Sequence, residues 1–266
     1  MNKLLSASLV LAVASVTGLG YSQPSASQPS ASQPASPASA AQAPAAPQPA
    51  AAAPSQQSAA PAATPSSPQA LQAKIAMCIG CHGIKGYQAS FPEVYKVPMI
   101  SGQSGKYIAA ALNAYKNGDR KHPTMRGIAQ SLSEQDMAEI GDYYEKHGQV
   151  EGARPVADKP SREPNAQVTA LLQKAACASC HGANLSRPID PTYPKIGGQH
   201  ADYLFVSLKA YKAENNPVVG RNNAVMGAIA KQFSNAELKA LSNYISSLDG
   251  EMRTQPESRF RASSSH

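Results

Sequence analysis

The sequence predicts an all-α fold that consists of two small helical domains in tandem, preceded by a disordered linker. Two stretches of the chain repeat one another, and each contains the pentapeptide C-x-x-C-H. Each stretch also ends in a segment whose apolar residues recur with the helical period. The repeats therefore define two domains, and the periodic segments define their class.

Residues 1–21 have the pattern of a secretory signal. Lys3 precedes an apolar stretch from Leu4 to Leu19, and small residues follow at Gly20 and Ser22. This stretch is shorter than the ~20 apolar residues that a membrane-spanning helix needs, which favours cleavage. The linker that follows favours an uncleaved anchor instead. We therefore expect a periplasmic protein that is either soluble or anchored to the inner membrane.

Residues 22–70 form a low-complexity segment. It contains only Ala, Ser, Pro, Gln and Thr, and it holds eleven of the 22 prolines of the chain. Such a composition cannot bury a core, so we expect a disordered tether. At ~3.1 Å per residue in a polyproline-like conformation, the tether could reach on the order of 150 Å.

The two predicted domains span residues 71–148 and 165–250. Both end in an amphipathic helix that begins at a capping serine, Ser133 or Ser234, and that we expect to end at Gly148 or Gly250. We interpret the apolar stripes of these helices as core. They consist of Met137, Ile140 and Tyr144 in one domain and of Leu238, Leu241, Ile245 and Leu248 in the other.

The domains have 78 and 86 residues, a size at which a protein core alone is marginal. A prosthetic group would supply the missing core. The proline-containing segment 149–164 between the domains is expected to be an exposed connector. Residues 251–266, which include three arginines, are expected to form a disordered basic tail.

All four cysteines lie in the two pentapeptides, at 78–82 and 177–181. The C-x-x-C-H pattern is typical of covalent c-type haem attachment. Thiols three residues apart lie on one face of a helical turn, where both can bond the vinyl groups of one porphyrin while the adjoining histidine reaches the iron. The sequence thus predicts two haem c groups, one at Cys78, Cys81 and His82 and the other at Cys177, Cys180 and His181.

Other uses of paired cysteines fit less well. A zinc ribbon places its two pairs roughly 15 to 20 residues apart, whereas Cys81 and Cys177 are 96 apart. A dithiol oxidoreductase needs a βαβ sequence around the pair, but both pairs follow alanine-rich, helix-like runs at 71–76 and 168–176. A disulfide framework is no better supported.

A second protein ligand for each iron is expected among the residues that repeat. Segment 97–103 matches 193–199 at an offset of 96, and 125–129 matches 226–230 at an offset of 101. Met125 and Met226 are the only methionines that repeat, and methionine is a common axial ligand in electron carriers.

Two residues near the first site compete with Met125. Met99 aligns with Lys195, which is not an ordinary neutral ligand, so we expect Met99 to pack in the core. His122 aligns with Asn223 and stays open as an alternative ligand.

Together these features resemble the dihaem cytochromes c of the cytochrome c4 type, which have two class I cytochrome c domains in tandem. The resemblance runs from residue 71 to residue 248. It implies that the backbone carbonyls of Pro98 and Pro194 orient the ligating histidines. It also implies the axial ligand pairs His82 with Met125 and His181 with Met226.

Two coordinatively saturated haems favour an electron carrier, not an enzyme. The net charge of +7 is spread thinly, without the basic stripe of a nucleic-acid-binding protein, so we expect no nucleic-acid partner. By resemblance, the donor would be a membrane quinol-oxidising cytochrome complex and the acceptor a haem-copper terminal oxidase. The tether would raise the concentration of the carrier near both.

Two other functions stay open. A dihaem peroxidase would keep one iron free, although the repeat offers a methionine for each. A cytochrome subunit of a periplasmic dehydrogenase would share the haem chemistry but stay bound to a catalytic partner, and co-purification with that partner would distinguish it.

Overall fold

A computed structural model describes residues 66–152 and 155–256 of the protein. The predicted signal, residues 22–65 of the predicted tether and the last ten residues of the predicted tail lie outside these ranges. Within them, nine helices and four two-residue strands confirm the all-α class. None of the helices in this part of the chain is long and apolar enough to cross a bilayer.

The first domain has four helices, of which α1 contains the first pentapeptide and α2 packs against α4. Three short strands lie between the helices. In chain order the elements are α1 Pro68–His82, β1 Gln88–Ala89, β2 Tyr95–Lys96, α2 Gly105–Asn117, β3 Arg120–Lys121, α3 Pro123–Gln130 and α4 Glu134–His147.

The second domain repeats the last three helices of the first and divides the opening helix in two. The elements are α5 Ala166–Ala175, α6 Ala178–His181, α7 Ala201–Ala210, β4 Gly220–Arg221, α8 Ala224–Ala230 and α9 Asn235–Ser246. The division falls at Ala176, whose φ of 47° is left-handed. The helix-like run predicted up to Ala176 therefore ends just before the second pentapeptide, whereas α1 continues through the first.

Helix α1 begins earlier than the predicted domain boundary. Ser67 caps it by accepting a hydrogen bond from the Ala70 N–H at 3.2 Å, and Pro68 occupies the first turn, where its missing N–H costs nothing. The assignment of residues 68–70 to the disordered tether was therefore wrong.

Each domain has its own core, and the predicted apolar stripes are buried in it. Capping boxes at Ser133 and Ser234 fix the first turns of α4 and α9, as predicted. The main core residues are Ile75, Ile108, Leu112, Leu132, Met137, Ile140 and Tyr144 in the first domain and Val168, Leu171, Leu185, Leu204, Phe233, Leu238, Leu241, Ile245 and Leu248 in the second.

The two glycines predicted to end α4 and α9 differ in role. Helix α4 ends at Gly148 as expected, but α9 ends at Ser246, so the prediction for Gly250 was wrong. A side chain at Gly250 would overlap the carbonyl of Gly197, and one at Gly148 would overlap the backbone of Gly102. Both positions need glycine because another loop of the same domain passes each of them at backbone contact.

Reciprocal contacts join the two domains. The side chain of Gln103 donates to the carbonyl of Lys195 at 2.9 Å and accepts from its N–H at 3.0 Å. Gln199 makes the same two bonds with the backbone of Met99, at 2.9 and 3.1 Å. The 96-residue repeat is thus also a repeat of interface contacts. Strands β3 and β4, one from each domain, pair antiparallel.

Residues 251–253 belong to this interface. Met252 is 3% exposed, and the side-chain amides of Gln103 and Gln199 both approach its sulfur, at 3.3 and 3.4 Å. The Arg253 N–H donates to the Ser101 carbonyl at 2.8 Å. The prediction of a disordered tail is wrong for these three residues, because an apolar side chain and a backbone pairing hold them.

The described part of the connector is mostly exposed, as predicted, but it lies against the second domain. The Tyr244 hydroxyl donates to the Arg162 carbonyl at 2.9 Å, and the Asp249 N–H donates to the Ser161 hydroxyl at 2.8 Å. Connector and second domain are therefore in contact.

Candidate haem sites

The first pentapeptide lies on the last turn of α1. Cys78 and Cys81 are therefore on one side of a helix, with His82 as its final residue. The second pentapeptide forms its own helical turn, α6, with Cys177 as the residue before it. All four thiols are free and partly buried, so the structure does not support a disulfide framework.

Both histidines are held in one tautomer by a proline carbonyl. His82 Nδ1 lies 2.8 Å from the Pro98 oxygen, and His181 Nδ1 lies 2.9 Å from the Pro194 oxygen. A carbonyl only accepts, so Nδ1 carries the proton and Nε2 keeps its lone pair. These are the proline contacts that the resemblance implies, and they leave Nε2 available for iron.

Burial favours neutral side chains at both sites. It lowers the pKa of His82 and of His181, because an imidazolium is poorly solvated there, and an iron ligand must be neutral imidazole. Burial also raises the pKa of the Cys78 thiol to about 11 and raises that of Cys177. A thioether sulfur has no charge, so buried cysteines suit covalent attachment to a porphyrin.

The methionines that repeat lie at corresponding positions. Met125 is half-buried on α3 against the first core, and Met226 is half-buried on α8. The N–H of each donates to the capping residue three positions earlier, to Nδ1 of His122 at 3.3 Å and to the side-chain oxygen of Asn223 at 2.9 Å. The two methionines therefore lie on short helices, α3 and α8, that both begin at a side chain that caps the helix.

The shared capping role explains why His122 of the first domain aligns with Asn223 of the second. His122 caps α3 as Asn223 caps α8. Because its Nδ1 accepts, its Nε2 carries the proton, and that nitrogen lies 3.0 Å from the Tyr95 hydroxyl. Both ring nitrogens of His122 therefore have protein partners, which counts against it as an iron ligand.

Met99, the other competitor, lies where the domains meet. Its N–H and its carbonyl are both bonded to Gln199, and its side chain is half-buried. It therefore packs at the interface, whereas the sequence analysis had predicted a position in the core.

Sequence reasoning missed one group of residues. Arg120 stands in the short basic sequence Arg120-Lys121-His122, but it is half-buried, and its guanidinium donates to the Tyr107 hydroxyl at 3.1 Å. In the second domain, Arg221 donates in the same way to the Tyr203 hydroxyl at 3.0 Å. The repeat of Tyr107 as Tyr203 was the available signal, because a tyrosine conserved between repeats needs a partner for its hydroxyl.

The placement of the two cysteine pairs counts against the zinc-ribbon alternative. Within residues 66–152 and 155–256, no group of three or more His, Cys, Asp or Glu side chains is arranged to hold a metal ion. The two cysteine pairs are in different domains, as a single four-cysteine zinc site could not be. One histidine beside one cysteine pair in each domain suits a porphyrin iron, which needs only axial ligands from the protein. A domain built in this way is a c-type cytochrome domain, and the protein has two.

Comparisons with known proteins agree. A family model for cytochrome c matches residues 166–249. Cytochrome c4 of Stutzerimonas stutzeri is 30% identical over 190 residues, which are 68% of this chain and 88% of that protein. The thiosulfate dehydrogenase electron acceptor of Stutzerimonas stutzeri strain A1501 is 30% identical over 180 residues, 64% of this chain and 78% of that protein. A crystal structure of reduced recombinant cytochrome c4 from Pseudomonas stutzeri matches with a TM-score of 0.48 and 26% identity, over 68% of this chain and 98% of that one.

The chain belongs to the cytochrome c4 family. It is a dihaem electron-transfer cytochrome, and its two cysteine pairs fit two covalently attached haem c groups, as the sequence predicted. Cytochromes c4 are electron carriers, which favours the carrier over the peroxidase considered above.

Proposed function

We propose that His82 and Met125 bind the iron of the first haem and that His181 and Met226 bind the iron of the second. The observation that supports this most directly is the lone pair that Nε2 of each proline-bonded histidine keeps, combined with methionines on equivalent short helices. Each haem, when bound, supplies a one-electron couple whose potential depends on the axial ligands and on burial.

The residues of the chain have defined tasks in this function. The proline carbonyls fix the histidine rings and increase the basicity of Nε2. With haem bound, the methionine sulfurs would complete the coordination of the irons and raise their potentials relative to two histidines. Such sites exchange electrons without binding a substrate.

A spectroscopic redox titration of the exported protein tests the ligands. Two low-spin haems with the sulfur-to-iron charge-transfer absorption, both titrating at positive potentials, would support the proposal. A high-spin haem, or one with a strongly negative potential, would mean that a proposed methionine is not on its iron.

We further propose that the protein carries electrons from a membrane quinol-oxidising cytochrome complex to a haem-copper terminal oxidase, in the periplasm. Support comes from the cytochrome c4 family membership and from the signal-like N-terminus. The test is quinol-dependent oxygen uptake by membranes stripped of their own soluble cytochromes. The purified protein should restore uptake, and failure to be reduced by the quinol-oxidising complex would contradict this proposal.

A second candidate has a specific observation in its favour. The similarity to a thiosulfate dehydrogenase electron acceptor supports a role as redox partner of a periplasmic dehydrogenase. Stable co-purification with such an enzyme, and rapid reduction by it, would favour this function over the respiratory one. Whether the N-terminus anchors the chain is tested by membrane fractionation of the full-length protein.

A further inference from the structure

The two helices that carry the repeated methionines bury few side chains. Helix α3 has eight residues, of which Ala129 alone is buried, and α8 has seven, of which Gly227 and Ala230 are buried. Because these residues are small, each helix gains little free energy from burying apolar surface. Segments with few buried contacts open at low cost in free energy unless other interactions attach their ends.

The first end of each helix is fixed from within. His122 and Asn223 cap α3 and α8 by accepting the N–H of the methionine three residues later. Such a cap stabilises the first turn of the helix, but it does not attach the helix to another element of the domain.

A lysine attaches the other end. The ammonium of Lys116, in the last turn of α2, donates to the Leu132 carbonyl just after α3, at 2.5 Å. The ammonium of Lys212, two residues beyond α7, donates to the Phe233 carbonyl just after α8, at 2.7 Å. Both carbonyls belong to buried residues, and a charged donor makes such a hydrogen bond stronger than a neutral one.

The contact is present in both domains although its partners are not equally spaced. The lysine precedes the carbonyl by 16 residues in the first domain and by 21 in the second. The same donor nevertheless reaches the same point after the methionine-bearing helix. We infer that the attachment has the same task in both domains, because equivalent residues of two similar domains share a task.

In the second domain a further lysine holds the same segment. The ammonium of Lys174 on α5 donates to the Gln232 carbonyl at 3.1 Å and lies 4.8 Å from the centre of the Phe233 ring. Cation and ring attract each other at this distance. Two helices, α5 and α7, therefore hold the segment that follows α8.

We propose that Lys116 and Lys212 are positioning residues for the axial methionines: each attaches the end of a methionine-bearing helix and so determines how easily the methionine leaves its iron. The inference rests on the proposed ligands Met125 and Met226. An iron that has lost its methionine is open to small ligands. The two lysines would thus keep both sites closed by acting on the backbone next to the ligand.

The test measures how fast imidazole displaces methionine in the oxidised, haem-loaded full-length protein. Loss of the sulfur-to-iron absorption reports the displacement. Each haem is observed alone, because Met226→Ala leaves only the absorption of the first haem and Met125→Ala leaves only that of the second. Lys116→Leu and Lys212→Leu are introduced one at a time into both backgrounds.

Each domain offers a matched control and a conservative variant. Lys106→Leu on α2 and Lys239→Leu on α9 remove the same charge from exposed positions. Lys116→Arg and Lys212→Arg keep a cationic donor, so they test whether the charge-assisted hydrogen bond is responsible.

We expect each Leu variant to accelerate displacement about tenfold in its own domain, because losing a hydrogen bond from a charged group favours opening of the helix by about this factor. Hydrogen exchange of the amides of α3 or α8 should accelerate equally, since it reports the same opening. A purely structural loss would accelerate exchange throughout the domain instead. The controls and the Arg variants should stay within about twofold of their background.

Three results would overturn the proposal: displacement at the background rate in both Leu variants, equal acceleration of one haem by Lys116→Leu and Lys212→Leu, or Arg variants as fast as the Leu variants. If a Leu variant does not load haem, the milder Lys116→Gln and Lys212→Gln take its place. They should accelerate displacement several-fold, and an unchanged rate would also overturn the proposal. A wild-type protein without the sulfur-to-iron absorption would refute the proposed ligands instead, which distinguishes the two failures.

Discussion

At the scale of single residues, the proline carbonyls decide what each pentapeptide histidine can do. Because Nδ1 of His82 and of His181 is bonded to a carbonyl, only Nε2 can bind iron. Spacing in the sequence identified these histidines, but the direction of each ring depends on a loop 13 to 16 residues away.

The proposed axial methionines give the first prediction. Met125→Ala or Met226→Ala should leave both haems attached but remove the sulfur-to-iron absorption of one haem and lower its potential, because the sulfur ligand is lost. Absorption spectra and a redox titration measure both effects. Met99→Leu is the control and should change neither; a normal spectrum for Met125→Ala would contradict the ligand assignment.

His122 gives the second prediction. His122→Asn should retain the cap of α3, since Asn223 caps α8 in the second domain, whereas His122→Ala should lower the free energy of unfolding by about 1 kcal/mol. Guanidinium titrations measure the difference. Both variants should keep the wild-type haem spectrum, and a changed axial ligand in either would reinstate His122 as a ligand.

At the scale of helices, the contact between α2 and α4 depends on two glycines. A Cβ at Gly141 would overlap the carbonyl of Gly105, so the helices cross at backbone contact. The sequence predicted α4 from its cap and its apolar stripe, but not this crossing, because a glycine within a helix does not indicate what approaches it.

Gly141→Ala should therefore destabilise the first domain. Overpacking of this kind costs roughly 1–3 kcal/mol, against the small gain in helix propensity that alanine would give an isolated helix. Ala138→Ser, on the exposed side of the same helix, should stay within about 0.5 kcal/mol of the wild type. Chemical denaturation compares them, and equal stability of the two variants would refute the close crossing.

A carboxyl group on α4 leads us to predict that the stability of the fold depends on pH. The ammonium of Lys74 donates to the Asp136 carboxylate and is the main reason why the pKa of Asp136 lies below its ordinary value. The Ser133 backbone N–H lowers the same pKa by a smaller amount. A carboxyl whose pKa is lower in the folded state stabilises the fold above its unfolded pKa, and this contribution disappears as the pH falls through the folded value. Stability measured from pH 7 to 3 should thus decline partly through this residue.

Asp136→Asn should lower stability at pH 7 by on the order of 0.5–1 kcal/mol and flatten the decline in acid. Asp142→Asn removes the same charge from an exposed position on α4 and should leave the decline intact. An unaltered acid profile for Asp136→Asn would show that the ion pair with Lys74 contributes nothing.

At the scale of the whole molecule, Met252 connects the two domains. Its buried sulfur lies between the side-chain amides of Gln103 and Gln199, whose other bonds cross the interface. Met252→Ala should cost about 2–5 kcal/mol through the cavity that it leaves. It should also loosen the arrangement of the domains, which small-angle scattering of the loaded protein would detect.

Met252→Leu separates packing from the sulfur contacts. Leucine has nearly the same volume as methionine. A loss in the free energy of unfolding below about 1.5 kcal/mol would therefore mean that the effect of Met252→Ala comes from lost packing. A cost equal to that of Met252→Ala would assign it to the lost acceptor. Scattering curves identical to the wild type for both variants would show that the segment does not hold the domains together.

The sequence by itself determined the helical class and the number of haems, and it predicted the residues nearest to them. These features are local: thioether attachment needs two cysteines and a histidine within five residues, and amphipathic helices show their period over a few turns. The repeat then predicted Met125 and Met226 as the second iron ligands, because equivalent residues of two similar domains share a task.

Only the tertiary structure decided the roles of His122, Gly250, Met252 and the arginine pair. Each depends on a contact with another segment of the chain, from 27 residues away for His122 and Tyr95 to 149 for Met252 and Gln103, and no local pattern records such a contact. Arg120 illustrates the reason. Its sequence neighbours Lys121 and His122 suggest a solvated surface, whereas its actual environment is set by the pairing of β3 with β4 of the other domain.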